Sequence, residues 1–141
     1  MNTFFKPDFS AFIMRISLGS VLLAHSVYLK LVVFTLPGTA QFFSSIGLPG
    51  FLAYVVFAVE AIAGIALILG IQTRAFAALA IPVLLGATWA HSANGWLFTN
   101  TGGGWEYPLF LTLMAVVQVG LGDGKYALTL NALKLRTAEA H

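Results

Sequence analysis

The sequence predicts an all-α integral membrane protein that folds as a four-helix bundle, and three observations indicate this class. Of its 141 residues 59% are hydrophobic and 9% charged, whereas a soluble domain carries about 25% charged residues. The apolar residues gather in four long stretches, and the basic residues avoid two of the connections between them. The length allows one domain, which we expect to span residues 1–141.

Four stretches approach the roughly 20 apolar residues that a membrane-spanning helix needs. They cover about residues 9–34, 51–70, 75–93 and 107–122, and the fourth is slightly short. Arg15 interrupts the first stretch where the apolar region of a cleaved signal peptide would run. We therefore expect this stretch to remain in the mature protein as the first span.

The distribution of basic residues predicts the orientation of these spans. Residues 35–50 and 92–105 contain no Lys or Arg, while basic residues precede the first span, separate spans two and three, and follow the fourth: Lys6, Arg74, Lys125, Lys134 and Arg136. Because positive charge favours the cytoplasmic side, both termini are predicted to be cytoplasmic. The expected location is the bacterial cytoplasmic (inner) membrane, with both uncharged loops outside.

The two outer loops carry aromatic and glycine signals. In "AQFFSSIGLPG", Phe42, Phe43 and Ile46 have helical spacing before Gly47 and Pro49 break the pattern, which predicts a short interfacial helix.

The second loop, "NGWLFTNTGGGWEYP", joins three glycines to Trp96 and Trp105. These tryptophans fit the aromatic belt of a membrane protein. The alternative is a gate over an outward-facing pocket.

Several function classes are excluded by composition. The chain has no cysteine, which removes an intrinsic disulfide, a thiol nucleophile and cysteine-ligated clusters. A net charge of +2 without a basic run does not indicate nucleic-acid binding. The sequence has no His-Glu-x-x-His or nucleotide-binding glycine motif, so no metal site is predicted.

Ionisable side chains within the spans are costly and need a partner or a wet cavity. Counting helical rise places Arg15 and Glu60 at depths from which they could meet, so we predict an intramembrane ion pair between them. Glu60 shares a helix face with Ala53, Phe57 and Gly64, which indicates that it faces protein. This pair could fix helix register or act in function, and the sequence leaves both open.

A second group of polar residues is predicted near the outer boundary. His25, His91 and Glu106 fall at similar depth on three helices, and Asn94 and Trp105 lie in the adjoining loop. We take these five as candidate ligand-binding residues in the bundle core. Lys30 stands about 140° from His25 on an ideal α-helix, so we expect it to extend to the lipid headgroups.

The chain also resembles the DoxX family of small four-helix membrane proteins. The resemblance rests on "RISLGSVLLAHSVYLKL", "FFSSIGLPG", "VEAIAGIALILGIQTRA", "HSANGW", "GGGWEYPL" and "GDGKYAL", in that order and spacing, over nearly all of the chain. It implies an association with membrane redox systems, such as quinone-linked oxidoreductases or hydroquinone resistance.

From the residues and this resemblance, we expect a membrane subunit of a redox system that binds a quinone or a similar small molecule near the outer leaflet. Haem held by the two histidines is a second cofactor hypothesis. The alternative function is a non-enzymatic scaffold or a small-solute permease. Expected partners are membrane lipid, a partner redox subunit and a further copy of the chain, and no nucleic acid.

Overall fold

The computed structural model describes residues 6–129, which form helices and no β-strand. In chain order the elements are α1 (Pro7–Leu23), a π-helical segment that continues it (Ala24–Val33), α2 (Leu36–Ser45), α3 (Leu52–Leu69), α4 (Thr73–Ala90), a 3₁₀ turn (Ser92–Asn94) and α5 (Glu106–Leu121). The predicted all-α class is confirmed, and α2 is the short helix expected in the first loop. Lys134 and Arg136, two of the basic residues that predict the cytoplasmic side, lie outside the described residues.

Within residues 6–129, three helical stretches are long and apolar enough to cross a membrane: Pro7–Val33, Leu52–Leu69 and Thr73–Ala90. The fourth predicted span corresponds to α5, which has 16 residues. At 1.5 Å per residue it extends about 24 Å, less than the roughly 30 Å of a bilayer core. The third span ends at Ala90, earlier than predicted, because the chain turns at His91 into the 3₁₀ segment.

The helices α1, α3, α4 and α5 are arranged in a ring, each packed against two of the others. α1 packs against α3 and α5, and α4 packs against the other side of both. Small and aliphatic side chains from all four helices form the core: Leu18, Leu22, Ala63, Leu67, Ala77, Ala80, Leu84, Leu111 and Ala115. Large apolar side chains on the outer surface of the ring, such as Ile62, Leu85 and Val116, are about half exposed, as expected of lipid-facing residues.

α1 and α3 approach each other backbone to backbone through two glycines. A Cβ added to Gly19 would lie 2.8 Å from the carbonyl oxygen of Gly64, and one added to Gly64 would lie 2.8 Å from Leu23 Cγ. Such close approach needs small residues at the crossing. This contact confirms the predicted small-residue face of α3 and brings Glu60, one turn from Gly64, into the α1–α3 interface, where it is 5% exposed.

One end of the bundle is closed by the chain that follows α5. This floor segment (residues 122–128) passes beneath α1 and α3, where the Lys125 amide donates to the Asp8 carbonyl and the Leu128 amide donates to the Leu69 carbonyl. We call this the floor end of the bundle. The opposite, loop end carries residues 35–50 and 92–105.

Candidate functional site

A buried ion pair joins Lys30 of the π-helical segment to Glu60 of α3. Lys30 Nζ lies 2.7 Å from Glu60 Oε2, and the two side chains are 16% and 7% exposed. Lys30 Nζ also donates to the His25 carbonyl oxygen at 3.3 Å. Within the described residues no hydrogen bond reaches the second carboxylate oxygen, Glu60 Oε1.

The predicted ion pair between Arg15 and Glu60 is wrong. The Arg15 side chain, which is fully buried, donates to four backbone carbonyls at the floor end: Asp123 (3.0 Å), Leu67 (3.0 Å), Ile68 and Lys125 (2.8 Å). Two of these carbonyls belong to the last turn of α3, the negative end of its dipole, which favours a cation. Arg15 therefore joins α1, α3 and the floor segment.

The direction of side chains along a helix explains this outcome. Each Cα–Cβ bond tilts toward the N-terminus of its own helix. Arg15 therefore points to the floor end, and Glu60, on the antiparallel α3, points to the loop end. Lys30 reaches back from the loop end and meets Glu60, so the expectation that Lys30 extends to the headgroups is also wrong.

The π-helical segment decides which residues of the first span share a side. Its hydrogen bonds join residues five apart, as shown by the Phe34 amide and the Leu29 carbonyl at 2.8 Å. Residues five apart are therefore stacked closer than on an α-helix. The angle of about 140° predicted between His25 and Lys30 assumed α-helical geometry, and it does not apply here.

The two histidines are anchored in the same way. Nδ1 of His25 lies 2.9 Å from the Val21 carbonyl oxygen, and Nδ1 of His91 lies 2.8 Å from that of Ala87. Because a carbonyl only accepts, Nδ1 carries the proton in each ring, which leaves Nε2 of a neutral ring as an acceptor. No hydrogen bond from residues 6–129 reaches either Nε2.

The surroundings of the two rings differ. The His25 ring lies 6.1 Å from the ring of Tyr107, the second residue of α5. The His25 carbonyl oxygen lies 3.3 Å from Lys30 Nζ, the ammonium that pairs with Glu60. The His91 ring instead lies against the second loop, where a Cβ on Gly103 would be 3.3 Å from its Cδ2.

The second loop is folded back on itself by side-chain and backbone hydrogen bonds. Asn94 Nδ2 donates to the Gly102 carbonyl at 3.1 Å, and Asn100 Nδ2 donates to the Asn94 carbonyl at 2.9 Å. Trp96 and Trp105 pack edge to face with ring centroids 4.7 Å apart. Asn94 and Trp105 thus order the loop, and neither belongs to the walls of the groove at this end of the bundle.

A groove of about 310 Å³ opens at the loop end. Its walls come from both sides of the second loop and from α5: Trp96, Phe98, Glu106, Tyr107 and Phe110. Glu106 Oε1 accepts from the Phe98 amide at 3.2 Å, and the Glu106 amide donates to the Trp96 carbonyl at 3.2 Å. The loop-end groove therefore places one carboxylate among four aromatic rings.

The structure brings together only part of the predicted ligand-binding set. Glu106 lies in the groove, and His25 lies behind its Tyr107 wall. Among the described residues, no hydrogen bond or ring contact joins His91 to His25 or to Glu106.

Three groove residues, Phe98, Tyr107 and Phe110, were not predicted, whereas Trp96 was expected either in the aromatic belt or as a gate over an outward-facing pocket. A sequence signal for the groove exists in the two aromatic segments "GWLF" and "WEYP", which lie on either side of the three glycines. Because a short closed loop brings its two ends together, these segments can be expected to meet.

No group of three or more His, Asp or Glu side chains in the described part of the chain could hold a metal ion. The two imidazoles face different neighbours, Tyr107 for His25 and Gly103 for His91. The haem hypothesis finds no support in this arrangement.

A ring of apolar helices with ionisable side chains at its core defines an integral membrane helical bundle. The chain belongs to the DoxX family, whose model matches residues 10–93. Among curated proteins it is similar to one named "Putative oxidoreductase CatD" from Bacillus subtilis (strain 168), with 50% identity over 50 residues. That match covers 36% of this chain and only 37% of the relative. No solved structure matches the chain.

Proposed function

We propose that this chain is a membrane subunit of a redox system and that it binds a quinone, or a similar small redox molecule, in the loop-end groove. The observation that carries the proposal is the composition of the groove, in which aromatic walls surround a single carboxylate. Flat rings stack favourably on aromatic side chains. The name of the similar Bacillus subtilis protein, "Putative oxidoreductase CatD", is consistent with this class.

The polar groups of the groove suit both oxidation states of such a ligand. The Tyr107 hydroxyl can donate to a quinone carbonyl, and the Glu106 carboxylate can accept from a hydroquinone hydroxyl. His25, behind Tyr107, adds an unoccupied acceptor at Nε2. The wall residue Phe110 is 54% exposed on the outside of the bundle, so a hydrophobic ring can reach the groove sideways from the bilayer.

We propose further that the loop end faces outward from the bacterial cytoplasmic membrane, with both termini in the cytoplasm. All the connections at the loop end lack Lys and Arg. The floor end carries Lys6, Arg74 and Lys125, all exposed. The positive-inside rule then assigns the floor end to the cytoplasm. A partner redox subunit and self-association stay predictions.

The test is a thermal-shift titration of the reconstituted protein with a soluble short-chain quinone. Binding adds RT ln(1 + [L]/Kd) to the free energy of unfolding, about 2.7 kcal/mol at a hundred times Kd. We expect Trp96→Leu and Glu106→Gln to abolish this shift. Trp89→Leu is the matched control, because Trp89 is equally exposed (55% against 53% for Trp96) but lies on α4 away from the groove.

Two results would contradict the proposal. A flat response from the unmutated protein would remove the quinone hypothesis and favour a scaffold or permease. A shift that survives both groove substitutions would place the ligand elsewhere.

A further inference from the structure

Glu60 of the Lys30–Glu60 pair makes fewer hydrogen bonds than Arg15, the other buried charged residue of the described bundle. Arg15 uses three nitrogens to reach four carbonyls. Glu60, which is 5% exposed against 0% for Arg15, accepts from a single donor among the described residues, Lys30 Nζ. Each hydrogen bond that a carboxylate accepts favours its charged form, so a carboxylate with one donor is held in that form less firmly than one with two or three. Within the described residues, Glu60 Oε1 accepts no hydrogen bond, and because it is not among the fully buried atoms without a partner, it is open to a water molecule or a proton.

A route for a proton leads from this oxygen toward the loop end. His25 belongs to the same cluster as Glu60, because Lys30 Nζ contacts both the His25 carbonyl oxygen (3.3 Å) and Glu60 Oε2 (2.7 Å). The His25 ring lies 6.1 Å from the ring of Tyr107. Its Nδ1–H is fixed on the Val21 carbonyl, so the only position at which the ring can gain or lose a proton is Nε2. Tyr107 lines the loop-end groove.

The remaining ionisable groups around Glu60 belong to other contacts. α2 has no ionisable side chain. On α4 and α5, Arg74 lies at Gly122 of the floor end, His91 lies against the second loop, and Glu106 accepts from Phe98. Among the described residues, the ionisable groups next to Glu60 are Lys30, which contacts its carboxylate, and His25, whose carbonyl binds the same ammonium.

We propose that Lys30, Glu60 and His25 form an intramembrane proton-binding site, in which Glu60 Oε1 takes up one proton that His25 carries from the loop-end groove. In the transfer, the Nε2–H bond of a protonated His25 breaks, and its electron pair returns to the imidazole. An O–H bond forms at Oε1, directly or through one water. Lys30 keeps its proton and positions the carboxyl group.

The charge of the three groups accordingly changes from zero, for one cation, one anion and a neutral ring, to +1 when the proton is bound. The π-helical segment holds the geometry, because Lys30 Nζ also donates to the His25 carbonyl five residues earlier. This site requires no quinone, so it holds or fails independently of the proposed ligand.

The test is infrared spectroscopy of the unliganded protein in lipid bilayers. On acidification from about pH 8 to about pH 5, a range in which histidine gains its proton, we expect the carbonyl stretch of a protonated carboxyl group to appear. Glu60→Gln should remove this band. Asp8→Asn is the matched control, because it neutralises an exposed carboxylate on α1 and should leave the band.

Transfer of the acidified sample to heavy water then tests the role of His25. His25→Gln keeps a hydrogen-bonding side chain but carries no proton, and it should slow deuterium exchange of the band by roughly a hundredfold, the lower end of what a positioned proton-transfer group contributes. Circular dichroism verifies that each variant is folded. If Glu60→Gln does not fold, Glu60→Asp assigns the band by shifting it.

Absence of any Glu60-dependent band over this pH range would identify a purely structural ion pair and overturn the proposal. An exchange rate unchanged in folded His25→Gln would overturn the route through His25. A purely structural pair predicts both of these negative results.

Discussion

Removing Lys30 should destabilise the bundle more than removing Glu60, and removing both should cost less than the sum. Lys30→Met leaves the Glu60 carboxylate, 7% exposed, without its only hydrogen-bond donor among residues 6–129. Loss of one partner of a buried ion pair costs about 3 to 5 kcal/mol. Glu60→Gln leaves an ammonium that keeps the His25 carbonyl, and its long stem can turn toward the headgroups. We expect about 1.5 to 3 kcal/mol for that change, the range of one charged hydrogen bond.

In the double variant, Met and Gln face each other without a buried charge, and the expected loss is about 2 kcal/mol or less, since a buried pair is often replaceable by neutral groups. The assay is equilibrium unfolding in detergent or bilayer, read as a double-mutant cycle. Lys6→Met and Asp8→Asn, both exposed near the start of α1, form the control cycle and should each stay within about 0.5 kcal/mol. Losses at Lys30 and Glu60 that add to within about 0.5 kcal/mol would show that the two residues do not interact, and would refute the reasoning.

Two other predictions concern orientation and packing. Single substitutions Ser45→Cys and Thr101→Cys should react with an impermeant maleimide on whole cells, because both loops lack positive charge; labelling only after lysis would reverse the orientation. Thr73→Val should stabilise the protein by about 1 kcal/mol, because Thr73 Oγ1 is buried without a partner among the described residues. A loss of stability on that change would show that the hydroxyl is satisfied by water.

The helices and the burial of Glu60 could be predicted because both follow from local patterns. Long apolar runs leave few alternatives to spanning helices. The small residues that share a face with Glu60 identify the side of α3 on which another helix can approach closely, and Gly64 does contact Gly19 there.

The predicted partner of Glu60 is wrong because the depth of a residue in the membrane does not show which way its side chain points. Arg15 and Lys30 lie on opposite sides of Glu60 along the bundle, and helical rise does not distinguish between them. The tilt of side chains toward the N-terminus of each helix does distinguish them, and it was available from the sequence once antiparallel spans were assumed. The π-helical segment had no comparable signal, since π-helices are rare and the apolar stretch around Lys30 is continuous.

The loop-end groove and the floor segment depend on contacts that no local pattern encodes. The groove exists because residues on either side of the glycines, Trp96 and Glu106, are joined through their backbones. The floor segment has little apolar periodicity, and its place is fixed by the Arg15 guanidinium and by Asp123, whose carboxylate accepts from the Thr73 amide at 3.2 Å.

The contrast between the two ends of the bundle bears on where function lies. At the floor end the buried charge is saturated by carbonyls, and the buried polar atoms that have no partner among the described residues, Thr73 Oγ1 and Gln118 Oε1, are neutral. Toward the loop end, Glu60 Oε1 and the Nε2 atom of His25 accept no hydrogen bond from residues 6–129, and the His25 ring lies 6.1 Å from that of Tyr107, a groove residue. Unsatisfied charged groups inside a membrane are costly and persist where they bind something. The floor end is therefore the structural anchor, and we expect ligand and proton chemistry in the loop-end half.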